Sequence, residues 1–335
     1  MVKIAINGFG RMGRLFARAA IEQGLDVVAI NEPKGDPATL ALLLEFDSTQ
    51  GRWSRPCRAD GTTLVAGDRR LTVTQMAEWN ALPWRELGVG LVADCSGKVK
   101  ARAALAPHLL AGARKVLVSN PVPDAPNLVF GVNHTSCDFA REDVVTAASC
   151  TTNCLAPIVR VIHDALGIER GVVTTIHDPT NTQSVVDKPD KDPRRARSAL
   201  VNLIPTTTNS ATAVTMIVPE LRGRLDSIAV RAPVLNASLT DCAFHVARPT
   251  TVAEVNAVLA AAAAAGPLLG ILGYEERPLV SSDFARDPRS AIVDAPSTRV
   301  VDGRLVKILA WYDNEQGYVH RMVDLARLQI AACRE

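Results

Sequence analysis

The stretch Ser149-Cys150-Thr151-Thr152-Asn153-Cys154 sets two thiols four positions apart beside small polar residues. Such a pair could clip a metal, close a disulfide, fill a core, or supply a nucleophile. The chain's seven cysteines, Cys57, Cys95, Cys137, Cys150, Cys154, Cys242 and Cys333, are odd in number and scattered, with no CxxC pair. This argues against a disulfide framework and against zinc, and it suits a reducing cytoplasm; no metal is expected. Beyond Cys150 the apolar positions Leu155, Ile158, Val159, Ile162 and Leu166 have helical spacing and stop at Gly167. Pro157 is best tolerated near a first turn, which puts Cys150 at or near a helix N-terminus. The helix dipole and unpaired N–H groups there favour thiolate over thiol. Cys154, one turn further on, reads as a packing residue. Of the six histidines, His177 ends the β-branched run Gly171–Ile176 and is the candidate base; it could equally be an ordinary strand-end histidine.

These residues need a scaffold, and the first half of the chain has a recognisable one. Val2 to Asn7 is a short apolar run, and Gly8-Phe9-Gly10-Arg11-Met12-Gly13 follows at once. Helical spacing continues from Arg14 to Gly24, and a second apolar run, Asp26 to Asn31, ends in Glu32. A GxGxxG between strand and helix, followed by an acidic residue after a second strand, is the dinucleotide fingerprint. Gly8 permits the tight turn, Gly10 lets a pyrophosphate approach the backbone, and Gly13 lets helix and strand pack closely. Glu32 is placed to accept hydrogen bonds from ribose hydroxyls and to favour NAD over NADP. The apolar runs Gly90 to Ser96 and Lys115 to Ser119 read as later strands, whose ends at Ser96-Gly97 and Ser119-Asn120 should line the cofactor cleft.

Composition sets the outer limits. The chain has 335 residues, 47% hydrophobic and 21% charged, with a formal charge of +2. That is the profile of a globular protein of one or two domains, with no basic excess to suggest nucleic acid. The start, MVKIAINGFG, has no secretion signal. Asn256 to Tyr274 is uncharged, but Gly266-Pro267 interrupts it and Thr251-x-x-Glu254 has the form of a capping box. A short surface helix from Val252 to Ala265 is expected there, with no membrane insertion.

The segments INGFGRMGR, ASCTTNCLAP, TTIH, RRAR, IPTTT, Arg231-Ala232-Pro233 and WYDNE-x-GY together resemble the phosphorylating glyceraldehyde-3-phosphate dehydrogenase family over essentially the full chain. The resemblance implies an α/β fold: a Rossmann NAD domain (1–149), an α+β catalytic domain on a mixed, largely antiparallel sheet (150–315), and a C-terminal helix (316–335) returning to the first domain. It implies that Cys150 attacks the aldehyde of glyceraldehyde 3-phosphate, with His177 handling the proton, and that a thioester then passes to an inorganic oxyanion. Arg231 and Thr180 are implied for the substrate phosphate, and Ser149, Thr151, Thr208, Arg195 and neighbouring Asn209 for the attacking anion. Gly8, Gly10, Arg11, Met12, Gly13, Asn31, Glu32, Ser96, Gly97, Ser119, Asn314 and Tyr318 are implied for NAD. The segment Asp178 to Ala199 is similar to the family's S-shaped loop, which implies a homotetramer.

Several positions depart from the glycolytic pattern. Asp178-Pro179 follows the histidine where small or aromatic residues are usual, Asn209 replaces a glycine, Pro193 replaces a leucine, and Gln316 stands where threonine or an aromatic is commoner. A glycine at position 209 would let backbone approach an anion, so the asparagine side chain could crowd that site or add a donor to it, while its tolerance of positive φ could preserve the turn. The variants SGKVKAR, FDSTQGRW, TTIHDPTNTQ, NASLTDC and ILGYEERPLVS resemble a subgroup associated with arsenic-resistance operons, where arsenate takes the place of phosphate and an ArsJ-type exporter removes 1-arseno-3-phosphoglycerate. Three other readings remain: a housekeeping dehydrogenase, an erythrose-4-phosphate dehydrogenase (suggested by LPWRELGV), and a non-catalytic NAD-binding regulator.

Overall fold

Residues Lys3–Asn7 form a strand buried on both faces beyond its first residue, the mark of a central strand in a covered parallel sheet. The computed structural model containing it describes residues 1–180 and 182–333. Two compact units result, one of Met1–Ser149 with the residues from Val319 onward, the other of Cys150–Tyr318.

The first unit has eight strands: β1 (Lys3–Asn7), β2 (Asp26–Asn31), β3 (Cys57–Asp60), β4 (Thr63–Ala66), β5 (Arg69–Thr74), β6 (Val89–Asp94), β7 (Lys115–Val118) and β8 (Val144–Thr146). They lie in the order β3-β4-β5-β2-β1-β6-β7-β8. From β5 to β8 every pairing is parallel, and β3 and β4 add an antiparallel edge. Helices α1 (Arg11–Glu22), α2 (Pro37–Glu45), α3 (Trp84–Leu87) and α4 (Ala106–Leu110) connect these strands. Helix α2 starts where Asp36 accepts from the N–H groups of Ala38 and Thr39, with Pro37 at its first position.

A buried polar cluster ties the strand ends of this unit together. Asn31 Nδ2 donates to Asn7 Oδ1 at 2.8 Å, and Asn7 Nδ2 donates to Asp94 Oδ2 at 2.7 Å. His108, fully buried, lies 3.2 Å from the same carboxylate and accepts at Nδ1 from the Trp84 indole at 3.1 Å. Since Nδ1 accepts, Nε2 carries the proton toward Asp94. The carboxyl ends of β1, β2 and β6 are thus held in one register, and the glycine-rich loop departs from β1 there.

The second unit begins with α5 (Cys150–Leu166), continues through β9 (Ile168–His177), β10 (Ile204–Thr207), α6 (Ser210–Ile217), β11 (Leu225–Arg231), β12 (Ser238–Val246), α7 (Val252–Ala264), β13 (Leu272–Glu275), β14 (Ala291–Asp294) and β15 (Arg299–Val301), and ends with β16 (Leu305–Tyr312). The sheet order is β10-β11-β9-β12-β16-β14-β13, with β15 beside β16. Only β11 with β9 and β13 with β14 are parallel, so the sheet is mixed and largely antiparallel. Helix α7 starts with the Thr251 side chain accepting from the Glu254 N–H, and Gly266 turns the chain at φ 74° two residues beyond its end. Among the described residues no helix is long and apolar enough to cross a membrane.

Helix α8 (Gln316–Ala332) closes the chain, and from Val319 on it belongs to the first unit. There Gln329 Nε2 donates to the Val116 carbonyl at 3.2 Å, and Arg327 to that of Gln23 at 3.1 Å.

Candidate active site

The register of the second sheet brings four strand ends to one place. His177 and Arg231 are Cα partners at the ends of the parallel neighbours β9 and β11. Ser238, the first residue of β12, pairs with Tyr312, the last of β16. Helix α5 packs against β9, β12 and β16, and its first residue is Cys150. Cys150 therefore lies at a helix N-terminus, as the spacing predicted, although one premise differs. Pro157 lies in the interior of the 17-residue helix, past its first turn. Its missing N–H leaves the Asn153 carbonyl without the usual helical donor, and the helix tolerates this. The chain enters α5 through Ala148, held at φ 53°, a left-handed conformation that costs an L-residue about 1 kcal/mol.

The Cys150 sulfur is half-buried and stands 3.7 Å from His177 Nε2. The opposite ring nitrogen, Nδ1, lies 2.8 Å from the Asp178 carbonyl and 2.6 Å from its Oδ1. Burial opposes a charge on the 5% exposed imidazole, but the hydrogen bonds to Asp178 and Cys150 outweigh it and lift the pKa to about 9. Thr151 Oγ1 is 3.0 Å from the Tyr312 hydroxyl, whose pKa burial pushes well above the usual value, and that ring meets His177 edge-on at 6.0 Å. Cys154 is fully buried, with its sulfur 3.7 Å from Thr240 Oγ1, and burial pushes its pKa up to about 12. Of the two thiols only Cys150 is exposed enough to meet a substrate.

Two guanidiniums lie nearby. Arg231 Nη1 donates to the Asp178 carbonyl at 2.9 Å, and burial lowers the arginine's pKa. Arg195 Nη2 donates to Thr206 Oγ1 at 3.0 Å, and its charge is felt by Arg231. In both, Nε is buried with no hydrogen bond among the described residues, although the Asp192 carboxylate pairs with Arg195 Nε at 3.5 Å. Other expected anion-site residues are less tightly gathered. Thr180 Oγ1 bonds locally to Gln183 at 3.0 Å, and Thr208 Oγ1 is 2.6 Å from Ser210 Oγ. Because β10 runs antiparallel to β11, Thr207 stands opposite Ile228, about 10 Å along the sheet from Arg231, and Thr208 lies a residue further still. Asn209 has φ −100°, so the turn before α6 does not call for a left-handed residue and asparagine fits it without strain. Ser149 immediately precedes α5.

In the first unit the glycines of the loop differ in kind. A Cβ on Gly8, at φ 89°, would stand 2.6 Å from the Ser96 nitrogen, and one on Gly13 would stand 2.1 Å from the Gly8 oxygen. At Gly10 a Cβ would meet no protein atom within 4 Å. Packing does not require that glycine, whereas a phosphate against the backbone would. Glu32 accepts from the N–H of Phe9 at 2.8 Å and of Lys34 at 3.0 Å, which fixes its carboxylate beside the loop. The Arg11 side chain is held by Asp47 at 2.8 Å, and the Asn31 amide by Asn7, Thr74 and Met76. Met12 lies on α1, and Ser96 Oγ donates to Asp94 at 2.7 Å, followed by Gly97 at φ 66°. The Ser119 N–H donates to the Asp94 carbonyl at 2.9 Å. In the second unit Asn314 Oδ1 is buried with no hydrogen-bond partner among the described residues, an acceptor suited to a carboxamide N–H. Tyr318, 4% exposed, lies in the first turn of α8. The open space at Gly10 fits the pyrophosphate of a dinucleotide, and in the other unit the Asn314 acceptor fits a carboxamide.

Sequence reasoning missed two members of the site. Asp178 was noted only as a departure from the usual pattern, and Tyr312 only as part of a motif. An acidic residue directly after a candidate base was the available signal for Asp178.

Comparison with known proteins agrees with this geometry. A family model described as "Glyceraldehyde 3-phosphate dehydrogenase, NAD binding domain" matches residues 2–102, and one described as "Glyceraldehyde 3-phosphate dehydrogenase, C-terminal domain" matches residues 149–314. The chain is 56% identical over 328 residues, 97% of each protein, to glyceraldehyde-3-phosphate dehydrogenase 3 of Nostoc sp.. It is 48% identical, over the whole of both chains, to the glyceraldehyde-3-phosphate dehydrogenase of Kitasatospora aureofaciens. Against that of Geobacillus stearothermophilus the identity is 46% over 97% of each. A dinucleotide loop in one unit, a paired thiol and imidazole in the other, and full-length similarity of this degree lead to one conclusion: the chain belongs to the glyceraldehyde-3-phosphate dehydrogenase family and is an NAD-dependent aldehyde oxidoreductase.

Proposed function

We propose that the chain oxidises glyceraldehyde 3-phosphate through a thioester on Cys150 and passes the acyl group to inorganic phosphate or, in an arsenic-resistance setting, to arsenate. The observation that carries this is the 3.7 Å approach of His177 Nε2 to the Cys150 sulfur at the start of α5. The Cys150 thiolate adds to the aldehyde carbon to give a hemithioacetal, and His177 Nε2 donates a hydrogen bond to the developing oxyanion. Bound NAD supplies the hydride acceptor. His177 holds the proton that the hemithioacetal hydroxyl loses as the thioester forms. Gly8, Gly10, Gly13 and Glu32 would seat the dinucleotide, and Asn314 its carboxamide.

Arg231, with Thr180, is assigned to the substrate's own phosphate. Arg195, Ser149, Thr151, Thr208 and Asn209 are assigned to the attacking anion. Two neighbouring guanidiniums support an anionic ligand: Arg231 Nε is buried without a hydrogen-bond partner among the described residues, and like charges are held apart more cheaply with an anion between them. Arsenate and phosphate share charge and tetrahedral shape, so such a pocket takes either. The products would be 1-arseno-3-phosphoglycerate, cleared by an ArsJ-type exporter, or 1,3-bisphosphoglycerate. The arsenate assignment rests on the sequence variants, and the same donors suit a housekeeping dehydrogenase equally.

A homotetramer is part of this reading. Val185, Val186, Leu200, Val201 and Leu203 are exposed apolar side chains clustered in and just beyond the S-shaped loop, as expected of a face that another copy covers.

The deciding experiment follows NADH formation from NAD and glyceraldehyde 3-phosphate, titrating phosphate at several fixed arsenate levels. Turnover with both anions and competition between them is the expected result. Turnover with neither would replace this reading with thioester hydrolysis of the erythrose-4-phosphate type. NAD binding without turnover would replace it with a non-catalytic regulator.

A further inference from the structure

We propose that Asp178 is a positioning residue for His177: its carboxylate fixes which ring nitrogen carries the proton, aims Nε2 at Cys150, and favours a thiolate–imidazolium pair. The proposal deepens the reading above and rests on it. It makes the site a relay of Cys150, His177 and Asp178 rather than a pair.

The geometry comes first. Asp178 Oδ1 is 2.6 Å from His177 Nδ1, and the Asp178 carbonyl is 2.8 Å from the same atom. Arg231 Nη1 also lies 2.7 Å from Nδ1. The ring nitrogen cannot donate to two oxygens and accept from a guanidinium in one state. The carboxylate's charge decides for Nδ1–H, and Arg231 keeps the Asp178 carbonyl as its acceptor at 2.9 Å. Nε2 is then left toward the sulfur.

Asp178 is itself held. It is 3% exposed, and Ser238 Oγ donates to its Oδ1 at 3.1 Å while accepting from its N–H at 3.3 Å. Ser238 follows Ala237, a left-handed residue at φ 66°, so the clamp sits at a constrained start of β12. A carboxylate buried this deeply is costly unless paired, and the imidazolium is the partner in contact with it.

The charges around the ring come from four elements. They are Cys150 on α5, Asp178 just past β9, Arg231 at the end of β11, and the Tyr312 hydroxyl on β16, which burial keeps neutral. Arg195, on the loop before β10, acts through Arg231. Burial works against the imidazolium; Asp178 and Cys150 work for it and prevail, at about 9. The folded-state value lies above the ordinary one of about 6.5. The ring therefore stays cationic between those limits and loses its proton as pH rises through the upper one. Within that window the thiolate has a cation beside it.

The test is the pH dependence of iodoacetamide alkylation at Cys150, read by peptide mass so that the other cysteines do not contribute, together with kcat and KM. Asp178→Asn keeps shape and an acceptor but removes the charge. The midpoint for thiolate formation should rise by about one unit or more, and kcat/KM near neutral pH should fall about tenfold, recovering at higher pH. Ser238→Ala, which leaves the charge but frees the carboxylate, should shift the midpoint the same way by less. It decides the matter if Asp178→Asn does not fold. An unmoved midpoint in Asp178→Asn, with a clear shift in His177→Asn, would overturn the proposal and leave the thiol–imidazole pair standing. A loss equal at every pH would also overturn it, as the mark of a merely structural aspartate. Full turnover by Cys150→Ser would remove the underlying reading and the proposal with it.

Discussion

Alanine at Gly10 and alanine at Gly13 should separate binding from folding within one loop. At Gly13 the new Cβ would stand 2.1 Å from the Gly8 carbonyl oxygen and 3.3 Å from Ile6 Cγ2. The nearer obstacle is backbone held by the β1 register, so strain of about 1–3 kcal/mol is expected, and the loop must open. At Gly10 the backbone has φ −68° and ψ −161°, which alanine adopts, and its Cβ would have no protein neighbour within 4 Å. Alanine there should leave stability unchanged or raise it by about 0.4–1 kcal/mol, because it stiffens the unfolded chain. Its methyl group would still stand between backbone and pyrophosphate. Losing one backbone donor to a charged phosphate costs about 1.5–3 kcal/mol. That is about ten- to a hundredfold in the NAD dissociation constant. Thermal unfolding without cofactor and a fluorescence titration with NAD measure the two effects separately. Gly10→Ala should keep or raise Tm and bind NAD weakly, while Gly13→Ala should lose both. Wild-type affinity in Gly10→Ala would refute the assignment of that space to the phosphates.

Cys154→Ala should keep turnover and cost about 1 kcal/mol of stability in urea, since the residue is buried and inert; loss of acylation would contradict this. Arg231→Lys should raise KM for glyceraldehyde 3-phosphate about tenfold, more than it lowers kcat, because lysine cannot replace a two-donor fork. Steady-state kinetics in which only kcat fell would place Arg231 elsewhere. Glu32→Ala should narrow the preference for NAD over NADP by about tenfold, by removing the carboxylate that repels a 2′-phosphate and holds the Phe9 N–H. An unchanged ratio of kcat/KM values would show that another group sets it.

Local signals made most of the first unit readable. The strand-glycine-helix pattern from Val2 to Asn31 is β1, α1 and β2, with α1 starting at Arg11 rather than further on. Helix α5 ends where Gly167 predicted, and β9 ends on His177. These features depend on neighbours in the chain: glycines that permit close approach, apolar periodicity, and a helix stop. The roles of Cys150 and Cys154 divided along the same helix, because one turn of separation carries the second sulfur into the core.

Tertiary structure decided what spacing could not. His177 and Arg231 are 54 residues apart and meet only because β9 and β11 pair in parallel with their ends level. Ser238 reaches Asp178 because β12 starts at that same edge. Arg11 and Asn31, read as cofactor residues, have their side chains engaged by Asp47 and by the β1–β2 scaffold. The residue sequence determined that a cysteine would stand at a helix start and that a dinucleotide loop would precede it, since both are properties of contiguous backbone. Which charges surround that sulfur was set by sheet register, and electrostatic energy depends on distance in space rather than along the chain.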